Sequence, residues 1–269
     1  REDELVRIAG ALKRDRARRL ALVVVNAQHN PTGVDWGEPF VEQLVEVAET
    51  AGAALLIDDA HFALHKPGDT PTSAVRIVCR RSREGEIPWL ATRSLGKDFS
   101  CNGWALGALA AEPPVLDSLV GELLQERQYN CAGALQWAMA DWLEQGGPEG
   151  YLDQRRWELD EKRTYATTAL VDELEYPATA VHAGPSSPFA LFELPPAYAG
   201  DDDGNQRFRH DCFRATGVIL SDAWPLARDA RHGGTLPYVR MFLGPPVEAL
   251  TDAIRRLRRA GIRYGMARL

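Results

Sequence analysis

The chain has 269 residues, 45% of them apolar, enough to bury a sizeable core in one or two domains. Its 31 basic and 38 acidic side chains leave a net charge of -7 with no long block of one sign. Such a surface repels a phosphate backbone and argues against nucleic-acid binding. The longest aliphatic run, Leu20 to Val25, falls far short of the ~20 residues that a bilayer span requires, so no membrane is expected. Cys79, Cys101, Cys131 and Cys212 form no CxxC pair, a pattern that fits reduced cytoplasmic thiols rather than a disulfide scaffold or zinc ribbon. No signal-peptide pattern opens the chain, and a start at Arg1 reads as one piece of something longer.

Residues 2–19 alternate charge with apolar punctuation and predict a helix. Leu20–Asn26 is a β-branched run that predicts a strand buried on both faces. A turn is expected at Asn30-Pro31-Thr32-Gly33, followed by a helix from Pro39 to Ala51 with Val41, Leu44, Val45 and Ala48 on one side. Ala53–Ile57 predicts a second strand that ends on Asp58, Trp89–Ser94 a third just before Lys97, and Trp104–Ala111 a fourth. Strands alternating with helices make an α/β domain with a mostly parallel sheet, and ligands gather beyond the carboxyl ends of such strands. Asn30, Asp58 and Lys97 all follow strand ends, so one shared site is expected.

After Pro148 the texture changes. Residues 149–175 predict a long charged helix. Short strands follow at Phe189–Glu193 and Tyr238–Phe242, and a last helix runs from Pro246. In that helix Arg255, Arg256, Arg258 and Arg259 interleave with Leu250, Ile254 and Leu257, which reads as a solvated face opposite a buried one. The domain boundary is therefore expected between 1–148 and 149–269, the second part being a smaller α+β domain. The acidic tip Asp201–Gly204 places its glycine too early for a calcium loop.

Four segments in fixed order carry the chemistry: HNPTG at 29–33, IDDAH at 57–61, SLGKDFSCNGWALG at 94–107 and YVR at 238–240. Together they resemble the class I/II aminotransferases, the fold type I family of pyridoxal-phosphate enzymes, across nearly the whole chain. The resemblance implies a fold type I large domain, incomplete at its N-terminus, followed by the small C-terminal domain. It implies pyridoxal 5'-phosphate as cofactor and amino transfer between an amino acid and a 2-oxo acid through a lysine aldimine.

The resemblance also assigns roles. Lys97 becomes the catalytic lysine, and Asp58 the carboxylate that keeps the pyridine nitrogen protonated. Asn30 becomes a donor to the ring oxygen that also lies near the substrate. His61 replaces the usual tyrosine donor to that oxygen, Ser94 supplies a hydroxyl three residues before the lysine, and Arg240 grips the substrate carboxylate. Each residue alone has a blander reading: an ordinary turn, a helix cap, a solvated lysine, an ion pair. Their joint occurrence carries the inference.

The departures are specific. Ala105 stands eight residues after Lys97, where the family has an arginine for the cofactor phosphate. Gly96 offers no hydroxyl, and Cys101 takes an aliphatic position. Arg93 is the nearest cation in sequence. Nothing before Asn30 supplies the family's N-terminal phosphate-binding turn or its stacking aromatic. A partner is therefore expected, either the missing N-terminal segment or a complementary subunit, in a homodimer or hetero-oligomer. Lyase, cyclase or decarboxylase chemistry on the same fold stays open, as does a non-catalytic aminotransferase-like subunit or sensor. A metal reading from His61, His65, Asp58 and Asp59 is disfavoured, because HFALH lacks the glutamate base of HExxH. No metal is expected, and no GxSxG supports a serine hydrolase.

Overall fold

The computed structural model describes residues 20–81, 87–124, 132–223 and 237–268. The helix expected over 2–19 and Cys131 lie outside them. Contacts divide the chain into two compact units, one of Arg1–His29 with Asp35–Gln154 and one of Asn30–Val34 with Arg155–Leu269. The division falls at Gln154, inside the helix Pro148–Asp172, rather than at residue 148. The Asn30–Val34 turn clusters with the second unit.

In the first unit, β1 (Leu22–Val25), β2 (Ala54–Asp58) and β3 (Trp89–Arg93) run parallel, and β4 (Ala108–Ala111) closes the sheet antiparallel to β3. Parallel neighbours need long crossovers, and the helices Glu38–Ala51 and Ala74–Arg81 lie within them. Val41, Val45 and Ala48 of the first helix pack with Val25, Leu55, Ile57 and Trp89 in one core. That helix ends because Gly52 takes a left-handed conformation and donates its N–H to Glu49.

Two expectations are corrected here. The strand at Leu20–Asn26 is not buried on both faces: Leu22 and Val24 are 48% and 54% exposed, since among the described residues β1 is an edge strand with one open face. The fourth strand starts at Ala108 rather than Trp104, because Asn102–Trp104 forms a 3-10 turn that ends on Ala105 in the left-handed region.

The second unit holds an antiparallel sheet in the order β5 (Val181–His182), β6 (Phe189–Glu193), β8 (Tyr238–Phe242), β7 (Ser221–Asp222). Its core joins Leu170, Tyr176, Phe192, Phe208 and Val239 to Leu250, Ile254 and Leu257 of the helix Val247–Arg259. The arginine face of that helix is solvated, with Arg256 paired to Asp252 at 2.7 Å. Among the described residues no helix is long and apolar enough to cross a membrane.

Candidate functional site

At the carboxyl end of the first sheet, Asp58 is the last residue of β2 and sits in register with Thr92 of β3. One Asp58 carboxylate oxygen accepts the Ala60 N–H at 3.1 Å, and its carbonyl accepts the Asn26 side-chain amide at 2.8 Å. These two bonds hold the strand end in place. His61 follows, 1% exposed, at the start of the 3-10 turn Phe62–Leu64. His65 lies just past that turn in extended backbone, so the two histidines flank a short turn instead of sharing a helix face.

Beyond β3, the Ser94 carbonyl accepts the N–H groups of Lys97 and Asp98 in the single helical turn Leu95–Asp98, which packs against the 3-10 turn after His61. Lys97 lies on this helical turn with its side chain exposed. Asp58, His61, Ser94 and Lys97 thus gather at the ends of two adjacent parallel strands. In open α/β sheets that edge is where ligands bind.

One of the departures, Gly96, has a local cause. A Cβ built on Gly96 would stand 2.9 Å from the Asn102 Cα, so the close return of the chain at Asn102 excludes a serine at this position without backbone movement. Ala105 is exposed and left-handed, with φ 52°. Arg93 does not serve as a free cation in its stead. Its guanidinium lies over the Phe62 ring, 4.4 Å from the centroid, and stands 3.8 Å from the Asp59 carboxylate.

Asn30 and Arg240 meet in the second unit. An Arg240 amino group donates to Asn30 Oδ1 at 3.3 Å, although 210 positions separate them in sequence. The Arg240 guanidinium also lies 4.4 Å over the Phe189 ring. Burial lowers its pKa from the ordinary value, and the Asp222 carboxylate opposes that effect.

The turn that carries Asn30 is held from below. Gly184 N–H donates to the Thr32 carbonyl at 3.1 Å, Ser186 N–H to Gly33 at 2.9 Å, and the Ser187 hydroxyl to Pro31 at 3.4 Å. Behind them Arg163, 4% exposed, donates to the Ser187 carbonyl at 3.0 Å; burial lowers its pKa to about 10 while Asp160 opposes. A Cβ on Gly184 would come within 2.2 Å of the Thr32 carbonyl oxygen, so only glycine admits this approach.

Sequence reasoning named Asp59 only in the disfavoured metal reading and missed Ser187 and Arg163. The Asp58-Asp59 doublet was a signal for the first, because two adjacent carboxylates on a buried strand end cannot share one environment. The other two had no local signal. A cavity of about 260 Å³ in the first unit is lined by Phe99, Cys101, Trp104, Ala138, Met139, Trp142 and Tyr151. It is apolar and carries none of the expected site residues.

Comparison with known proteins gives these features a context. The family model described as Aminotransferase class I and II matches residues 4–223. The chain is similar to the LL-diaminopimelate aminotransferase of Halothermothrix orenii, 24% identical over 254 residues that cover 94% of this chain and 60% of that protein. Over 149 residues it is 31% identical to the uncharacterized HTH-type transcriptional regulator YisV of Bacillus subtilis, covering 55% of this chain and 29% of that one. The solved N-succinyldiaminopimelate aminotransferase of Mycobacterium tuberculosis matches with a TM-score of 0.75 at 23% identity, over 94% of this chain and 61% of that one. That likeness establishes the fold. The chain spans about 60% of the length of the LL-diaminopimelate aminotransferases it matches.

Proposed function

Because this chain belongs to the aminotransferase class I and II family, we propose that the whole protein transfers an amino group between an amino acid and a 2-oxo acid with pyridoxal 5'-phosphate. The donor set fits that group. A carboxylate, a buried imidazole and an accessible amine occur at one sheet end, and an arginine–asparagine pair suited to a carboxylate occurs in the second unit. When bound, the cofactor supplies an aldehyde that takes up amines and a pyridinium ring that withdraws electrons from the substrate Cα.

Asp58 would retain a proton on the ring nitrogen, because a carboxylate beside it favours the charged pyridinium. His61 and Asn30 would donate to the ring oxygen, and Ser94 with its turn would receive the phosphate. Lys97 would hold the cofactor through its amine and would carry the proton of the substrate Cα. Arg240, oriented by Asn30 and by the Phe189 ring, binds the substrate carboxylate with its planar fork. Ala105 supplies no guanidinium to the phosphate, so another cation would have to complete that grip.

The single observation that carries the reading is the placement of Asp58 and the Lys97 turn at the ends of adjacent parallel strands. In the test, the full-length protein is loaded with pyridoxal phosphate, reduced with borohydride and peptide-mapped. The adduct is expected on Lys97, and Lys97→Ala should lose visible absorbance and at least about a thousandfold in amino transfer. An adduct on another lysine, or none, overturns the assignment.

The likeness to a transcriptional regulator motivates a second reading, a sensor that binds cofactor and amino acid without turnover. It predicts spectral changes with amino acids but no 2-oxo acid product.

We further infer that the first unit is completed by the rest of the aminotransferase-like protein, in a dimer. Leu22, Val24, Leu109 and Trp137 are exposed apolar surface of that unit.

A further inference from the structure

The carboxyl that this reading leaves unused is Asp59. It is 3% exposed, its Oδ1 has no hydrogen-bond partner among the described residues, and its Oδ2 stands 3.8 Å from an Arg93 amino group. The backbone joins the same region. The Asp59 N–H donates to the Thr92 carbonyl at 2.9 Å, and the Phe62 N–H donates to the Asp59 carbonyl at 3.1 Å. The Phe62 ring in turn carries the Arg93 guanidinium. Asp59 therefore reaches the last residue of β3 by its side chain and the residue before it by its main chain.

A carboxylate buried to this degree persists only beside a compensating cation. The charged groups that face it are Arg93 from β3, which attracts it, and Asp58 on its own strand end, which repels it. At the proposed site this contact has a consequence for geometry. Asp58 immediately precedes Asp59, and Arg93 immediately precedes Ser94 and the turn that bears Lys97. Main-chain hydrogen bonds join the two strands as far as the Asp59 N–H on the Thr92 carbonyl, and past that bond the Asp59–Arg93 contact continues the tie through side chains.

We propose that Asp59 is a positioning residue: by holding Arg93 across the ends of β2 and β3, it fixes the spacing between Asp58 and the Lys97 turn. This role rests on the reading of Asp58 and Lys97 as cofactor residues given above. Arg93 is accordingly a structural cation that is not available for the cofactor phosphate.

The experiment uses the full-length protein as wild type, Asp59→Asn, Arg93→Met and the double variant. Each is loaded with pyridoxal phosphate, and its visible absorbance is titrated with pH alongside cofactor affinity. Both single variants should move the absorbance midpoint by about half a pH unit or more. Each should weaken cofactor binding by roughly tenfold, and the double variant should add little to either, as expected when two touching residues act through one contact. Singles that keep the wild-type midpoint and affinity, or a double whose effects are the sum of the two, overturn the positioning role. That result leaves the assignment of Lys97 intact if the wild type still binds. A wild type that binds no cofactor overturns both.

Discussion

At the level of single residues, the buried carboxyl of Asp59 is costly to ionise. Burial pushes it up to about 6 from the ordinary 3.8; Arg93 pulls against that shift and Asp58 adds to it. Because the folded state holds the proton more tightly than the unfolded one, the neutral form favours folding. The associated stability is fully present below about pH 4 and is lost as pH rises through about 6. That displacement of the carboxyl corresponds to about 3 kcal/mol at neutral pH. Asp59→Asn, which cannot ionise, should therefore melt higher than the wild type above pH 6, with the gap closing toward pH 4. Thermal melts across that range decide it, and parallel curves for the two proteins would contradict the burial argument. This outcome is separable from the cofactor effects, since the variant gains stability while it loses the tie to Arg93. Arg93 itself is 39% exposed and stays solvated when its partner is neutral.

At the level of elements, the Asn30–Gly33 turn shows how a loop acquires a fixed position. Its main-chain carbonyls are bonded by the segment 184–187, and that segment is anchored by Arg163 from the long helix Pro148–Asp172. The close approach depends on Gly33 at φ 68° and on Gly184. Gly184→Ala would place a methyl against the Thr32 carbonyl and should destabilise the protein by about 1–3 kcal/mol. It should also displace Asn30 from Arg240, raising the KM for the amino acid more than it changes cofactor affinity. Ser187→Ala, which removes one long hydrogen bond, should produce the same KM effect at a smaller size, with a loss of about 1 kcal/mol or less. Equal losses for cofactor and amino acid in both variants would show that the turn serves general folding only. Other elements were readable in advance for a simple reason. The helix Val247–Arg259 repeats its apolar residues with helical spacing, and β6 and β8 were expected at the residues where they occur.

At the level of the whole molecule, the first unit carries more apolar exposure than a finished sheet domain needs. Among the described residues Leu22 and Val24 are exposed on one edge strand and Leu109 on the other, while Trp137 is 79% exposed on the helix Gly133–Glu144. Edge strands with apolar faces pair or aggregate unless covered. The 269-residue chain by itself should accordingly self-associate, and Leu22→Lys with Val24→Lys should suppress that association. In the longer protein the same pair should lower the melting temperature, because lysine would then enter a covered surface. Sedimentation of both chains, with a melt of the longer protein, checks the two halves. A monodisperse monomer of the short chain would refute the need for a covering segment.

The sequence by itself determined the alternation of strands and helices, the family and the residue types that suit the proposed cofactor, since periodicity and motif spacing are properties of short stretches. It did not determine that Leu22 and Val24 would lie on an open edge, which depends on what stands beside β1. Nor did it determine where Arg93 would point: as a cation next to Ser94 it was equally suited to a phosphate, and only the burial of Asp59 beside it decided otherwise. The meeting of Asn30 with Arg240, and the support of that turn by Ser187 and Arg163, came from tertiary structure alone. Such contacts join residues remote in the chain, and their energies depend on burial and approach distance, which no local pattern of residues encodes.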